Sequence, residues 1–406
     1  MRIPALACTL LLGACAAPAP DAGTTVTDSA GIRIVSNDPA QRGWGREDAW
    51  ALSGNPTLQV GNVLGNPDHE LYRVAHARRL ADGGIVVANT GLGDIRVFDA
   101  QGGHVRTIAL AADAAEKAPP LRVYPLGGDT LLVFQGDLSL TRYGGDGERA
   151  VRSTLATPGD DLETPQPVGS FRDGSLLFRS RFPWDDAATG VGRRRARLLH
   201  YATDGSLIGT FGEVDDDGVL NADHGAYIFN PTGVAAAGDS TVWYGPGDRY
   251  ELREIAPDGR TLRIVRLDKL GTPVQQADIT AYRSAVIDRV KGTSRETTME
   301  ATLEASVFAD TFPVFDQMIV DDVGNLWVRN YQWFDLGAGK GWSVFDAEGR
   351  YLGDVTTPSI LEIHQIGDDF VLGRMSDRAG REAVYLFRLQ KPEREAAGDS
   401  SAAPPP

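Results

Sequence analysis

Short apolar runs recur along this chain, and a polar corner follows most of them. The runs occupy residues 85–87, 131–134, 176–178, 242–244, 326–328 and 370–372. Apolar residues do not alternate with polar ones inside these runs, so both faces of each strand should be covered. This pattern predicts small sheets that stack face to face.

The corners share one spacing, in which a hydrophobic residue is followed four positions later by glycine. The five pairs are Phe98 and Gly102, Tyr143 and Gly147, Tyr201 and Gly205, Ile255 and Gly259, and Phe345 and Gly349. In four of the five, Asp or Glu precedes the glycine. Glycine tolerates positive φ, and the acidic side chain can bond the backbone of the turn. A repeat of this length predicts a repeat architecture with four strands in each unit.

Six units can be laid out, at about 70–110, 121–156, 167–212, 229–267, 314–356 and 361–389. The sixth unit lacks its outer strand. An unassigned strand at 57–61 precedes the first unit, and we expect it to complete the sixth. Such an exchange closes a ring and leaves no unpaired sheet edge between the first and last units. Another strand is predicted at 31–35, and residues 31–390 should form one domain.

A helical insertion is predicted at 273–309, between the fourth and fifth units. Ile279, Tyr282, Val286 and Val290 follow helical spacing, and a glycine at 292 ends the run. A second helix should follow, with apolar residues at intervals of four. The insertion is expected to pack its apolar stripe on the ring, and the alternative is a helix that binds a partner.

Composition and charge limit the possible partners. The 406 residues include 40 basic and 55 acidic side chains, which gives a net charge of −15. That sign disfavours a nucleic-acid surface, so no nucleic-acid partner is expected. Both cysteines, Cys8 and Cys15, lie within the first fifteen residues. The folded body therefore has no internal disulfide and no cysteine ligand for a metal.

The N-terminus carries a targeting signal. Residues 1–14 have one positive charge and a short apolar stretch, which predicts a signal peptide. Leu12-Gly13-Ala14-Cys15 resembles the bacterial lipobox, and the alternative is an ordinary signal peptide cut nearby. The resemblance implies a lipid anchor on Cys15, and Ala16 after it implies sorting to the outer membrane. Residues 15–30 are expected to be a flexible tether, and 391–406 a disordered tail.

The layout as a whole resembles the six-bladed β-propellers of the NHL and TolB-like group. More narrowly, it resembles lipid-anchored six-bladed propeller proteins of bacteria, through the segments 28–35, 85–89 and 320–328 and the insertion before the fifth blade. The resemblance covers about residues 27–390. It implies an all-β six-bladed β-propeller with a small helical insertion between blades 4 and 5. It implies no particular activity.

Charged runs offer weak candidates for chemistry. Asp215, Asp216 and Asp217 lack the spacing of a calcium loop, and a solvated acidic loop is the favoured interpretation. The basic run at 193–197 could hold an anion, but a solvated strand edge that discourages sheet pairing is favoured. The sequence has no phosphate-loop, zinc-protease or nucleophile-elbow motif, and no cofactor and no metal are predicted.

The most suggestive set of residues lies on the predicted innermost strands of the first, second and sixth units. It comprises His76, Arg78, Arg122, Tyr124, Glu362 and His364. Each pair has i, i+2 spacing and so shares one face of its strand, and ring closure makes the three units neighbours. The set could bind an anionic ligand or hold a metal, and protonation of the histidines near pH 6.5 would favour the anion. The alternative is a structural network that satisfies itself along a wet channel.

These observations favour a lipid-anchored envelope protein that binds a small anionic or carbohydrate ligand, or another envelope protein, without catalysis. The alternative is a propeller hydrolase or lyase of the lactonase type, with its site at the channel mouth. Such enzymes hold a divalent metal through several carboxylate and amide ligands. Here the inner strands offer mainly Glu362 and Asp316 with Asn230.

Overall fold

The computed structural model describes residues 23–45, 48–110, 118–184, 190–221, 225–334 and 339–392. Six sheets, each built on four antiparallel strands, surround a central channel and form the predicted six-bladed β-propeller. The signal peptide at 1–14, Cys15 and most of the predicted tail lie outside the described residues.

The strands are numbered in chain order. Four precede the first blade, namely β1 (Thr24–Ser29), β2 (Ile32–Asn37), β3 (Ala51–Leu52) and β4 (Leu58–Val60), and a 3-10 turn (Pro67–His69) follows them. Blade 1 comprises β5 (Val74–Arg79), β6 (Ile85–Asn89), β7 (Asp94–Phe98) and β8 (His104–Ala109). Blade 2 comprises β9 (Pro120–Pro125), β10 (Leu131–Gln135), β11 (Ser139–Tyr143) and β12 (Arg149–Thr154). Blade 3 comprises β13 (Gln166–Ser170), β14 (Leu176–Arg181), β15 (Gly190–Tyr201) and β16 (Leu207–Asn221).

A short strand, β17 (Tyr227–Ile228), precedes blade 4. Blade 4 comprises β18 (Val234–Ala237), β19 (Val242–Gly245), β20 (Glu251–Ile255) and β21 (Thr261–Leu267). The insertion comprises α1 (Gln276–Val290), α2 (Glu296–Ala305) and β22 (Val307–Phe308). Blade 5 comprises β23 (Phe315–Val320), β24 (Leu326–Asn330), β25 (Lys340–Phe345) and β26 (Tyr351–Thr357). Blade 6 contains β27 (Glu362–Ile366), β28 (Phe370–Ser376) and β29 (Glu382–Gln390).

The N-terminal strand β4 completes blade 6. It pairs antiparallel with β29, with Val60 opposite Val384 and Leu58 opposite Leu386. The short strand β3 pairs farther along the same edge. The predicted exchange is therefore confirmed, and the sheet of blade 6 is built from both ends of the chain.

Blade 4 carries two further strands. β2 pairs parallel with β21, with Ile34 opposite Ile264, and β1 pairs antiparallel with β2. The predicted tether at 15–30 is wrong for residues 24–29, which form β1. The sequence there is rich in Thr and Val, which favour strands, and Ala30 and Gly31 adopt the positive φ of a tight hairpin turn.

The core consists of the contacts between blades. All five residues of β6 are buried, as the absence of alternation predicted. Between blades 2 and 3, for example, the rings of Phe134 and Phe178 lie edge to face at 5.0 Å. The second strands of the blades, such as β6, β10 and β19, therefore have apolar neighbours on both faces, and the blades are held in fixed angular positions about the channel.

The helical insertion lies where it was predicted. α1 begins with a reciprocal capping box between Gln275 and Asp278. The ring of Tyr282 on α1 contacts Phe229 at 5.2 Å, and β22 pairs parallel with β17. The insertion thus packs on the propeller through aromatic side chains. No helix among the described residues is long and apolar enough to cross a membrane.

The acidic and basic runs face each other on adjacent strands of blade 3, and both earlier interpretations are wrong. Asp216 is fully buried within β16, not in a solvated loop, and it accepts a hydrogen bond from Arg179 at 2.8 Å. β15, which carries the basic run, lies between β14 and β16 and is not an edge. Arg194 pairs with Asp217 at 2.6 Å. Mutual neutralisation across neighbouring strands allows Asp216 to be buried and leaves Arg194 and Asp217 mostly covered.

Candidate functional site

A cavity of about 370 Å³ lies in the central channel and contacts all six innermost strands, β5, β9, β13, β18, β23 and β27. Its lining includes Leu126, Arg172, Asp239 and Asp322, each of which directly follows or closely follows an innermost strand. The cavity therefore lies toward the mouth formed by the loops that join the first and second strands of each blade.

Five of the six predicted site residues line this cavity: His76, Arg78, Arg122, Tyr124 and His364. The ring of His76 lies at the centre of the group, with ring centroids 5.7 Å from both Tyr124 and His364. Ring closure brings β27 beside β5, which places the His364 side chain next to a residue 288 positions earlier in the chain. These five residues form a basic and aromatic wall, called the arginine wall below.

Irregular strand pairing helps to direct side chains of the arginine wall toward the cavity. The register between β5 and β6 shifts between Val74 and His76. In β27 it shifts between Ile363 and Gln365, so His364 has no residue opposite it on β28. Bulges of this kind turn a side chain away from the regular alternation, and they are common beside binding sites.

His76 is fixed by the neighbouring blade. Its Nδ1 lies 3.1 Å from the carbonyl oxygen of Val123 and 3.3 Å from the Val123 backbone nitrogen, so it can donate to the first or accept from the second according to tautomer. Either bond joins blade 1 to blade 2. The ring orientation is therefore set before any ligand enters.

The two arginines of the wall lack carboxylate partners among the described residues. Arg122 donates to the carbonyl oxygens of Leu121 at 2.8 Å and Ala75 at 3.5 Å. No hydrogen bond or ion pair joins Arg78 to a described residue, although Asp322 and Tyr124 influence its charge from farther away. Asp322 is held by the Gln365 side chain at 2.8 Å. Two positive charges therefore face the cavity without direct neutralisation.

Two buried polar atoms in the same wall have no hydrogen-bond partner among the described residues. They are the hydroxyl oxygen of Tyr124 and the Nε2 nitrogen of His364. Tyr124 is only 4% exposed. Buried polar atoms nearly always have a partner, because leaving one unpaired costs about 1–3 kcal/mol. The cavity is where such a partner would bind.

Both histidines are neutral at pH 7. Burial lowers the pKa of His364 to about 3, and the charges of Arg122, Arg374 and Arg78 add to this effect. Burial, followed by the charge of Arg122, holds the pKa of His76 well below its usual value. The expected protonation near pH 6.5 is therefore wrong, because the histidines are desolvated beside positive charges.

Glu362 does not join the arginine wall. Its side chain is 56% exposed and pairs with Arg374, whose Nε lies 3.0 Å from the carboxylate. Arg374 is the residue directly opposite Glu362 on β28. The cross-strand pair satisfies the carboxylate at the far end of the strand from the cavity, so its predicted place in the site is wrong.

A further part of the cavity wall consists of small residues and was not predicted. Its lining includes Gly169 on β13 and residues 235–238, Ala-Ala-Ala-Gly, on and after β18. A Cβ atom added to Gly169 would lie 3.3 Å from the Cβ of Ala237. The run of alanines could have indicated close approach to a backbone, but small residues carry no chemical signal of their own.

Comparisons with known proteins support the fold alone. No family model and no curated protein matches the chain. A member of the DUF4221 family from Bacteroides vulgatus is 12% identical with a TM-score of 0.51, over 86% of this chain and 100% of that one. A Bacteroides fragilis protein named as exported is 12% identical with a TM-score of 0.46, over 88% of this chain and all of that one. Virginiamycin B lyase from Staphylococcus aureus is 11% identical with a TM-score of 0.40, over 83% and 99%.

The chain is a six-bladed β-propeller. The three residues that offered a metal site in this propeller are engaged elsewhere. Asp316 accepts from Arg329 at 2.6 Å, and Asn230 exchanges two hydrogen bonds of 2.7 Å with the backbone of Gly218. Glu362 pairs with Arg374 as described above. Among the described residues no group of three or more His, Cys, Asp or Glu side chains could hold a metal ion.

Proposed function

We propose that this propeller is an envelope binding module whose central cavity takes a small organic anion. The observation that carries the proposal is the convergence of Arg78 and Arg122 on one cavity without a carboxylate partner among the described residues. Burial disfavours the charged form of Arg78 and lowers its pKa, so a guanidinium in this position is electrostatically costly without an anion beside it. A bound carboxylate or phosphate would offset that cost through charge-assisted hydrogen bonds.

The polar atoms beside the arginines suit the same ligand. The Tyr124 hydroxyl can donate to an anionic oxygen. The Nε2 of neutral His364 can donate or accept according to tautomer. Together with the guanidinium groups they surround a charged group with donors on one side of the cavity. The ligand is fixed by this wall, and the rest of the cavity selects what is attached to the charged group.

A hydrolase or lyase of the lactonase type is not favoured by a specific observation. The carboxylates and amide offered for its metal are paired with other residues, and the arginine wall supplies positive charge where such a metal would need acidic ligands. The similarity to lyases reaches TM-scores of only about 0.4 and carries no argument. Anion binding therefore accounts for the residues of the site, whereas a hydrolase or lyase of this type would need acidic metal ligands in addition.

We also propose that the protein is held at the outer membrane by lipid on Cys15. The support is the Leu12-Gly13-Ala14-Cys15 sequence and the lack of a charged sorting residue at Ala16. Cys15→Ser should release the protein from the membrane fraction. If the variant stays with the membranes, or if the native N-terminus carries no acyl chain, the anchor is refuted.

Binding is tested by titration calorimetry of the folded protein with acetate, succinate, glucuronate and sulfate. At least one organic anion should bind, and Arg78→Ala or Arg122→Ala should weaken it tenfold or more without unfolding the protein. Arg260→Ala is the matched control, because Arg260 is 73% exposed on an outer turn. The proposal fails if none of these anions binds at 10 mM, or if the wall variants bind as well as the control.

A further inference from the structure

The innermost strand of blade 4 turns free peptide groups toward the cavity. β18 pairs with β19 on one side and with no strand on the other. The backbone nitrogen of Gly238 donates to the Thr241 carbonyl at 2.8 Å, which makes this a hydrogen-bonded pair. Antiparallel pairs alternate, so Ala236 is bonded to Trp243, and Ala235 and Ala237 direct their N–H and C=O groups to the channel.

On the inner strands β5, β9 and β27, side chains or neighbouring backbone occupy some of the equivalent groups. The Val123 peptide edge is taken by His76. The backbone nitrogen of Arg79 donates to the Gln365 side chain at 2.9 Å. The carbonyl oxygen of Ile366 accepts from the Asp322 backbone nitrogen at 3.0 Å. No such bond joins Ala235 or Ala237 to a described residue beyond the β18–β19 pairing.

The side chains of this strand leave its edge open. Residues 235–238 are three alanines and a glycine, and Gly169 lies against Ala237 from the next blade. A larger side chain on any of these positions would cover the backbone. The edge therefore offers alternating donors and acceptors at the spacing of a β-strand, in the same cavity as Arg78 and Arg122 and on the blade opposite the one that carries Arg78.

We infer that the organic anion is the C-terminal carboxylate of a short peptide, which binds the arginine wall while its own peptide groups pair with the free edge of β18. Strand addition supplies main-chain hydrogen bonds, and capture of a terminal carboxylate supplies direction. A cavity of 370 Å³ corresponds to the liquid volume of about a dozen water molecules, so only a few residues enter. The inference rests on the proposed function, because it needs the same arginines.

The decisive measurement compares ligands that differ by one group. Calorimetry is performed with acetyl-Ala-Ala-Ala as free acid, as C-terminal amide, and as free acid with N-methylation of each peptide nitrogen in turn, with acetate and glucuronate alongside. The free acid should bind at least tenfold more tightly than acetate, glucuronate and the amide. At least one N-methylated peptide should lose most of that advantage, because it can no longer donate to the strand edge.

A protein variant tests the same edge. Proline at a strand edge removes only the outward N–H, so Ala237→Pro should leave the pairing with β19 intact. It should abolish the advantage of the peptide over acetate while acetate binding stays within twofold of the parent. If this variant fails to fold, the N-methylated ligands alone decide.

The outcomes separate the two proposals. The peptide inference is overturned, and the anion site stands, if three results occur together. Acetate or glucuronate binds as tightly as the peptide, N-methylation does not change the affinity, and binding still requires Arg78. If no anion or peptide binds in an Arg78-dependent way, both are overturned.

Discussion

The carboxylate of Glu382 accepts a hydrogen bond of 2.6 Å from the backbone nitrogen of Val74, 308 residues away in sequence. Glu382 is buried at the start of β29, and Val74 opens β5. Arg374 binds the same carboxylate from β28. Blade 6 is thus joined to blade 1 by a charged hydrogen bond as well as by the exchange of β4, and closure does not depend on sheet pairing alone.

Glu382→Ala should lower the free energy of unfolding by about 1–3 kcal/mol, since it leaves the Val74 N–H unpaired and removes one partner of Arg374. Chemical denaturation measures the change. Glu348→Ala on an exposed corner is the control and should stay within about 0.5 kcal/mol of the parent. Equal free energies of unfolding for the two variants would show that Glu382 does not contribute to closure of the ring.

Two N-terminal truncations should behave differently. Removal of residues up to 30 deletes β1, which is largely exposed, and should leave a soluble monomer. Removal up to 61 also deletes β2, β3 and β4, which exposes the edges of β21 and β29 and should cause aggregation. Size-exclusion chromatography and melting curves distinguish them. A soluble long truncation with unchanged melting would contradict closure by β4.

The repeats, the closing strand and the insertion could be predicted because each depends on local patterns. The corner glycines mark turns. Blade 6 lacks its outer strand, so another segment of the chain, such as 57–61, has to complete the sheet. The arginine wall could be predicted because i, i+2 spacing sets a shared face and ring closure sets the neighbours. These inferences need only local patterns and the general geometry of a closed ring of blades.

What could not be predicted depends on partners that are distant in sequence. Glu362 has the same spacing to His364 as Arg122 has to Tyr124, but Arg374 on the adjacent strand holds it outside the cavity. Asp216 is buried only because arginines on β14 neutralise it. The free edge of β18 consists of backbone N–H and C=O groups, and the pattern of side chains in the sequence does not predict which of these groups stay unpaired.

Asp216→Ala should be among the most damaging single substitutions. Its carboxylate binds Arg179 at 2.8 Å and also contacts Arg181, so removal leaves Arg179 without a carboxylate partner among the described residues and Arg181 with only Asp217, at 3.5 Å. We expect a loss of about 3–5 kcal/mol in the free energy of unfolding. Asp258→Ala, on an exposed turn, serves as control. A loss below about 1 kcal/mol would show that the cluster is not buried in solution.

Stability should fall with acid below about pH 6.5 in a manner that depends on His364. Its folded pKa of about 3 lies below the unfolded value, so between these values the unfolded state binds a proton that the folded state does not. The loss approaches roughly 1.4 kcal/mol per pH unit for such a group. His364→Gln should flatten the dependence of the free energy of unfolding on pH between pH 6 and pH 4, as followed by chemical denaturation.

The affinity for anions should not change between pH 6 and pH 8. A rise in affinity at the lower pH would contradict the lowered pKa values of the two histidines.

Tyr124→Phe separates a ligand site from a structural network. The hydroxyl is buried without a partner among the described residues, so its removal should leave the melting temperature unchanged or raise it. If the hydroxyl donates to a bound anion, the same variant should bind about two- to twelvefold more weakly, since the net value of one hydrogen bond is about 0.5–1.5 kcal/mol. Tyr143→Phe, on β11 away from the cavity, is the matched control for anion binding. A drop in melting temperature with unchanged affinity would show that the hydroxyl serves the fold and not the ligand.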